Sequence, residues 1–217
     1  MQRSCIKTAG FTLVEMIVSL GVFAVVVTMT VGAVLVLIST NQQLQAEQSV
    51  MTNLSFALDT MTREMRTGYN YYCSGRSNYS AGGANNIFKD TNDHEAEVLA
   101  RTNDCSSGRG SGENLQGVSF YEGGDSLTGA SARRILYFYD STGTTKTIKR
   151  RVGNQPAQSI VSSGLNITDA NFYVSGTATT SDAVQPTITV YIEAQEVDDP
   201  GKTYYLETTV TQRSLDL

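Results

Sequence analysis

The chain is poor in the residues that enzymes use for chemistry. Its 217 residues include a single histidine, His94, which stands between Asp93 and Glu95. A lone histidine beside acids is usually solvated, and a zinc site would need more ligands than this segment offers. No Gly-x-Ser-x-Gly, P-loop or dinucleotide-binding motif stands at a strand–helix junction. The sequence therefore predicts no catalytic residue, no metal and no cofactor.

Proline is scarce as well, which matters for the helices. The chain has three prolines, and all of them follow residue 155. Proline breaks helices because it lacks the backbone N–H and its ring clashes with the preceding turn. No residue of this kind interrupts a helical pattern in residues 1–155.

The most informative segment is an apolar run, residues 11–38, which is long enough to cross a bilayer. A span needs about 20 consecutive, mostly apolar residues. Glu15 is the one charged residue in this run, and a carboxylate inside a span usually marks a functional or partner contact because it is costly there. The preceding residues 1–10 carry Arg3 and Lys7 and no acid, which favours a cytoplasmic N-terminus.

The small residue that can mark a cleavage site lies before the apolar run. An ordinary secretory signal is cut after its apolar region, at small residues, but here Ser-Thr-Asn-Gln-Gln follows Ile38. Gly10 stands in front of the run instead. The pattern Gly-Phe-Thr-Leu-Val-Glu over residues 10–15, followed by a hydrophobic helix, resembles the class III signal of type IV pilins and type II secretion pseudopilins.

This resemblance implies roles for three residues. Prepilin peptidase would cleave between Gly10 and Phe11, and Phe11 would then be N-methylated. Glu15 would pair with the free N-terminal amine of a neighbouring subunit; the alternative is that Glu15 reaches the lipid headgroups and has no partner. The implied partners are the peptidase, other pilin or pseudopilin subunits and the inner-membrane assembly platform. The implied location is the cytoplasmic membrane, crossed once, with the C-terminal domain periplasmic or extracellular.

Charge and cysteine content fit an exported domain. Removing residues 1–10 from the 217-residue chain leaves 207, and the loss of Arg3 and Lys7 moves the net charge from −5 to −7. An acidic domain is a poor partner for nucleic acid. Cys5 would leave with the leader, and the remaining pair, Cys73 and Cys105, favours a disulfide in an oxidising compartment. Two free thiols are the alternative.

A helical pattern continues beyond the apolar run. Residues 40–67 are amphipathic, and Gly68 follows as a stop signal. We expect one helix over residues 12–67, with a break near residues 39–41 as the alternative. The apolar stripe of its second half recurs at helical spacing and comprises Leu44, Met51, Leu54, Leu58, Met61 and Met65.

The rest of the chain changes from loop-like to β-like. Residues 68–117 are rich in Gly, Ser and Asn, which predicts a variable loop with at most a short element near residues 95–100. Residues 118–217 are rich in β-branched and aromatic residues, which predicts an antiparallel sheet. Strands are expected at 118–121, 135–139, 146–152, 167–174, 187–195 and 204–211.

The predicted fold class is α+β: a long N-terminal helix, transmembrane in its first half, packed on an antiparallel sheet, as in pilins. The resulting organisation is a leader at 1–10, a transmembrane and assembly helix at 11–39, its amphipathic continuation at 40–67, a variable loop at 68–117 and the sheet at 118–217. The ending, residues 205–213, is similar to the last strand of the larger minor subunits, the J type of type II secretion and the W type of type IV pili. The resemblance therefore implies a minor, non-enzymatic subunit.

A basic segment offers a second hypothesis. Arg133, Arg134, Lys149 and Arg151 could share one face of a hairpin, and a competence-type pilin could capture DNA there. The alternative is a charged strand that resists edge-to-edge pairing.

Two smaller alternatives stay open. Asp198 and Asp199 precede Pro-Gly, which predicts a turn, although some pseudopilins bind calcium in a C-terminal loop. The chain could also be a single-pass envelope protein that never polymerises, in which case its first ten residues would be retained.

Overall fold

A computed structural model describes residues 10–75, 102–105, 115–123, 134–141, 143–153, 155–178 and 184–213. Within these residues, one helix is followed by eight strands. The architecture is the predicted α+β arrangement of a long N-terminal helix and antiparallel sheets. The elements are α1 (Leu13–Thr67), β1 (Tyr69–Gly75), β2 (Leu115–Tyr121), β3 (Arg134–Asp140), β4 (Thr147–Val152), β5 (Gln158–Ser159), β6 (Leu165–Ser175), β7 (Thr187–Glu196) and β8 (Thr203–Thr211).

Helix α1 is continuous over 55 residues, so the alternative of a break near residues 39–41 is wrong. It ends at Thr67, as predicted, and the N–H of Gly68 donates to the C=O of Glu64 at 3.0 Å. A side chain at Gly68 would run into the ring of Phe120. Glycine at this position therefore lets the chain leave the helix directly against the sheet.

The chain divides into two compact units, Met1–Ser49 and Val50–Leu217. In the described part of the first unit, residues 10–49, no residue is buried. Among the described residues, α1 is the one helix long and apolar enough to cross a membrane, and its most apolar window is entirely exposed. This assignment rests on the length and composition of the helix.

In the second unit, α1 contributes one face to the core. Its buried residues are Val50, Leu54, Ala57, Leu58, Met61 and Met65. Leu44 and Met51, predicted for the same stripe, are 49% and 44% exposed. At 100° per residue they lie about 80° and 60° from Leu54 around the helix axis, at the edge of the stripe. Val50 and Ala57 occupy the opposite edge and are buried instead.

The strands form two antiparallel sheets. The first has five strands in the order β1-β2-β3-β4-β5, and the second has three in the order β6-β7-β8. The six strands expected from the sequence correspond to β2, β3, β4, β6, β7 and β8. In β7 the predicted alternation is present, with Ile188, Val190 and Ile192 buried between half-buried polar neighbours.

Strand β1 lies where the sequence predicts the start of a variable loop. Tyr71 and Cys73 are fully buried, and Cys73 pairs with Val118 in the register of β1 and β2. Asn70 has a positive φ of 55°, at an irregularity in this pairing. The segment predicted as a loop therefore begins with a strand, since tyrosines favour a pleated, half-buried surface. Its last residues, 115–117, belong to β2. The expected element near residues 95–100 lies outside the described residues.

One apolar core joins the helix stripe to both sheets. The first sheet contributes aromatic residues such as Phe120, Tyr137 and Tyr139, and the second contributes aliphatic ones such as Val190 and Ile192. All seven residues of β3 are buried, so this strand is covered on both faces. A strand of this kind does not present a surface to solvent.

Candidate functional site

The predicted cleavage position precedes the helix. Gly10 and Phe11 lie before Leu13, the first residue of α1, and Phe11 is 75% exposed. A Cβ placed at Gly10 would meet no atom within 4 Å. The peptide bond between these two residues therefore lies in accessible, non-helical backbone, which is the form that a peptidase can bind.

Glu15 stands in the first turn of α1 and takes part in its cap. The hydroxyl Oγ1 of Thr12 accepts the N–H of Glu15 at 3.3 Å. Thr-x-x-Glu at a helix start is the capping-box pattern, in which the glutamate occupies the third helical position. A carboxylate there also interacts favourably with the positive end of the helix dipole. The half of this box that is formed, from the Thr12 hydroxyl to the backbone N–H of Glu15, could have been predicted from the sequence.

The other polar side chains of the apolar run are satisfied within the helix. Ser19 donates to the C=O of Glu15 at 2.6 Å, Thr28 to that of Ala24 at 3.0 Å and Thr30 to that of Val26 at 2.8 Å. These hydroxyls bond their own backbone and leave no polar group facing outward. Among the described residues 13–38, Glu15 is the side chain whose polar group has no such partner, and it is also the charged one.

Cys73 and Cys105 form a disulfide, with 2.08 Å between the sulfur atoms and 5.7 Å between the Cα atoms. Both residues are buried. Backbone bonds run alongside: Cys73 N–H donates to Asn103 C=O at 3.1 Å, and Asn103 N–H donates to Tyr71 C=O at 3.2 Å. The short segment 102–105 therefore lies beside β1 as well as being covalently joined to it.

The same segment is attached to the end of β6. Cys105 N–H donates to Val174 C=O at 2.8 Å. The carboxylate of Asp104 accepts the backbone N–H groups of Gly176 and Thr177 at 3.1 and 3.0 Å and the Thr177 hydroxyl at 2.6 Å. Segment 102–105 thus connects the first sheet to the second, and the disulfide closes this connection.

The sequence reasoning missed a charged cluster between α1 and the first sheet. Arg150 donates to both carboxylate oxygens of Glu64, at 2.9 Å from Nε and 2.7 Å from Nη2. Tyr137 donates its hydroxyl to the same carboxylate at 2.6 Å. Residues 64 and 150 are 86 positions apart, and no sequence pattern links them. The cluster anchors the last turns of the helix to β3 and β4.

Burial and the shared carboxylate shift the pKa values in this cluster. Burial, and then the hydrogen bond and negative charge of Glu64, raise the pKa of the Tyr137 hydroxyl well above its ordinary value. For Arg150, burial lowers the pKa, but hydrogen bonding and charge from Glu64 outweigh it, and the net shift is upward. The cluster therefore keeps the phenol neutral and the guanidinium charged.

Among the described residues, two of the cations predicted for the DNA-binding face are buried and a third is paired with an acid. Arg134 and Arg151 are 1% and 4% exposed, and Lys149 pairs with Asp140 at 2.5 Å. Arg134 donates to Ser119 Oγ at 3.0 Å and lies over the ring of Tyr121, 4.8 Å from its centroid. These cations contact groups of the domain itself, so the described residues give the DNA hypothesis no support. Arg133 lies outside the described residues.

Calcium and other metals gain no support from the described part of the chain. Asp199 Oδ1 accepts the N–H of Gly201 at 3.3 Å, which is the contact of an ordinary Asx turn. The described residues contain no group of three or more His, Cys, Asp or Glu side chains that could hold a metal ion. His94 lies outside the described residues.

Comparison with known proteins supports the reading of the N-terminal segment. The family model of the prokaryotic N-terminal methylation motif matches residues 6–31. This stretch includes Gly10, Phe11 and Glu15 and most of the apolar run, up to Val31. Searches of curated proteins and of solved structures returned no match.

Proposed function

The chain belongs to the type IV pilin and pseudopilin superfamily by its N-terminal motif, and from this premise we propose that it is a minor, non-enzymatic subunit of a type II secretion pseudopilus or type IV pilus. The observation that carries the proposal is the position of one carboxylate. Glu15 lies in the first turn of an exposed apolar helix, a few residues after an accessible Gly10–Phe11 peptide bond. The assignment to a minor subunit depends on the similarity of residues 205–213 to the last strand of such subunits.

Processing creates the group that Glu15 would bind. Cleavage after Gly10 gives Phe11 a free amine, which prepilin peptidase then methylates, and the amine remains a cation. In a low-dielectric filament core an unpaired carboxylate or ammonium pays a desolvation penalty of several kcal/mol. Pairing Glu15 of one subunit with the Phe11 amine of its neighbour removes both penalties at one register only. The pair thus selects the axial position of each subunit.

Before assembly the subunit waits in the cytoplasmic membrane. The apolar run crosses the bilayer, and the cations Arg3 and Lys7 keep the leader on the cytoplasmic side. The domain that begins at Val50 then lies outside the cytoplasm, where the Cys73–Cys105 disulfide is chemically stable. Prepilin peptidase, the assembly platform and the other pilin-like subunits are the partners in this scheme.

Substitutions at Glu15 test the assembly role. Glu15→Gln keeps the size of the side chain and its capacity for the capping box but removes the charge. Glu15→Ala removes the charge and the polar side chain, while the Thr12 hydroxyl can still accept the backbone N–H of residue 15. We expect both variants to be processed and inserted, and both to be depleted at least tenfold from sheared filaments in a quantitative immunoblot. Glu47→Gln, which changes a carboxylate on the same helix beyond the apolar run, should assemble normally.

The glutamine variant separates the two roles of Glu15. If Glu15→Gln assembled like the wild type while Glu15→Ala did not, an uncharged polar side chain at this position would suffice, and charge pairing between subunits would be ruled out. Normal assembly of both variants would rule out an assembly role for Glu15, and absence of the wild-type protein from the filaments would favour the single-pass envelope protein.

A further inference from the structure

A cationic groove lies between the last turns of α1 and the edge of the second sheet. It has a volume of about 580 Å³ and is lined by helix residues within 59–67 on one side and by residues 208–211 and Arg213 on the other. We call it the β8 groove. It belongs entirely to the second unit of the chain and shares no residue with the N-terminal motif.

The strand side of the groove is a backbone edge. Side chains of a strand point alternately to its two faces. Four consecutive residues, Thr208, Thr209, Val210 and Thr211, nevertheless line the same groove. They can do so together only along the edge of the strand. Strand β8 is the last of its sheet in the described part of the chain, so this edge is open to the groove.

The alternation of hydrogen-bonded residues along β8 identifies the backbone groups that face the groove. Gln212 N–H donates to Pro186 C=O at 2.9 Å, toward the β7 side. Bonded positions alternate along an antiparallel pair, so Thr209 and Thr211 turn their N–H and C=O groups away from β7. Arg213 continues this alternation on the same side as Thr209 and Thr211, and its N–H donates to the C=O of Arg66 in the last turn of α1 at 2.8 Å.

The groove is positively charged although the chain is acidic. Arg63, Arg66 and Arg213 line it together with one acid, Asp59. Arg63 pairs with Asp59 at 3.0 Å. Within the described chain, neither Arg66 nor Arg213 has an ion-pair partner, and both are exposed. Among the described residues, two positive charges of the groove therefore have no acidic partner, although the net charge of the chain is −5.

We propose that the β8 groove binds an extended acidic peptide segment of a partner protein, which adds to the sheet as a strand beside β8. An open strand edge selects a peptide, because only a peptide backbone offers N–H and C=O groups at the matching spacing. The arginines select carboxylates along that segment. A nucleic acid meets the charge requirement but not the backbone pattern. The inference goes beyond the proposed function and does not depend on processing or polymerisation.

The binding test uses the full chain in neutral detergent micelles and a defined probe. The probe is a fluorescein-labelled peptide of nine residues, the length of β8, in which Thr and Glu alternate; a Thr/Lys peptide is its control. Fluorescence anisotropy should show saturable binding of the Glu peptide, at least about tenfold tighter than that of the Lys peptide. Raising the salt concentration should weaken the binding.

Charge-reversal variants locate the site. The double variant Arg66→Glu with Arg213→Glu should lose at least about tenfold in affinity for the Glu peptide. It leaves the backbone of β8 unchanged and alters two exposed side chains, so its far-UV circular dichroism should match that of the wild type. Lys202→Glu reverses an exposed cation just before β8 and outside the groove lining, and it should bind like the wild type.

Two N-methylated probes test strand addition. One carries methyl groups on the odd-numbered amides and the other on the even-numbered amides, so each blocks one edge of the peptide. A strand added to β8 bonds through one edge only, and therefore one of the two probes should lose binding while the other keeps it.

If both bound alike, or if the double variant bound the Glu peptide as tightly as the wild type, the proposal would be overturned. It would equally be overturned if sedimentation showed self-association that the double variant abolishes, since the occupant would then be a second copy.

Discussion

At the scale of single residues, Glu64 shows how one carboxylate fixes a helix to a sheet. Its two oxygens accept three hydrogen bonds, two from Arg150 and one from Tyr137. The side chains of Arg150 and Glu64 are 31% and 24% exposed. A bidentate arginine–carboxylate pair combines charge with fixed geometry, and here it sets how α1 lies on β3 and β4.

Glu64→Gln should destabilise the domain. The substitution leaves the Arg150 guanidinium half-buried without a counter-charge, and hydrogen bonds to charged groups contribute about 1.5–3 kcal/mol. We expect the midpoint of thermal unfolding, followed by circular dichroism in micelles, to fall by about 3–10 °C. Asp59→Asn, which breaks the fully surface-exposed pair with Arg63, should leave the midpoint unchanged. Equal midpoints for all three proteins would contradict an anchoring role.

Tyr137 predicts a loss of stability at alkaline pH. Burial and the neighbouring Glu64 raise its pKa in the folded protein above the ordinary tyrosine value of 10.0. The neutral phenol therefore contributes stability that is fully present below about pH 10 and is lost as the pH rises above that value. Tyr137→Phe cannot ionise, so its unfolding midpoint should fall less steeply above about pH 10 than that of the wild type. Tyr205→Phe, at a ring that is 61% exposed, should retain the wild-type slope, and an equally steep fall in Tyr137→Phe would contradict the account.

At the scale of elements, helical periodicity predicted α1 better than it predicted which residues are buried. The stop at Gly68 and the continuous helix followed from Gly and Pro placement, which act locally. Burial depends on where the sheet lies, and this decided that Val50 and Ala57 are inside while Met51 is not. The strands were predictable from β-branched and aromatic runs, except two. The tyrosines of β1 are followed by a segment rich in Gly, Ser and Asn, and β5 has only two residues, Gln158–Ser159.

Two methionines of α1 test this description of the helix face. Met61 is fully buried and Met51 is 44% exposed. Met61→Ala removes buried volume and should cost about 2–5 kcal/mol, seen as a large fall in the unfolding midpoint. Met51→Ala is the same substitution with the same small gain in helix propensity, and it should change the midpoint little. A similar effect of both substitutions would show that the buried face is placed wrongly.

At the scale of the whole molecule, the two units differ in whether their apolar residues are buried. The described residues before Val50 bury none of their apolar side chains, whereas the second unit encloses a continuous core. An exposed apolar surface of that length requires lipid or another protein around it. The functional segment could be predicted because its motif is local. The Glu64–Arg150 pair, the buried cations and the β8 groove could not, because they join residues far apart in sequence.

The most direct test is the intact mass of the protein isolated from its native membrane. The account predicts a chain that starts at Phe11, with 207 of the 217 residues and one additional methyl group. Gly10→Val should give the uncleaved, unmethylated precursor in the same measurement, because the bulkier side chain would keep the peptidase from the backbone. A native protein that still carries residues 1–10 would contradict the account and would leave a chain that is only anchored in the membrane.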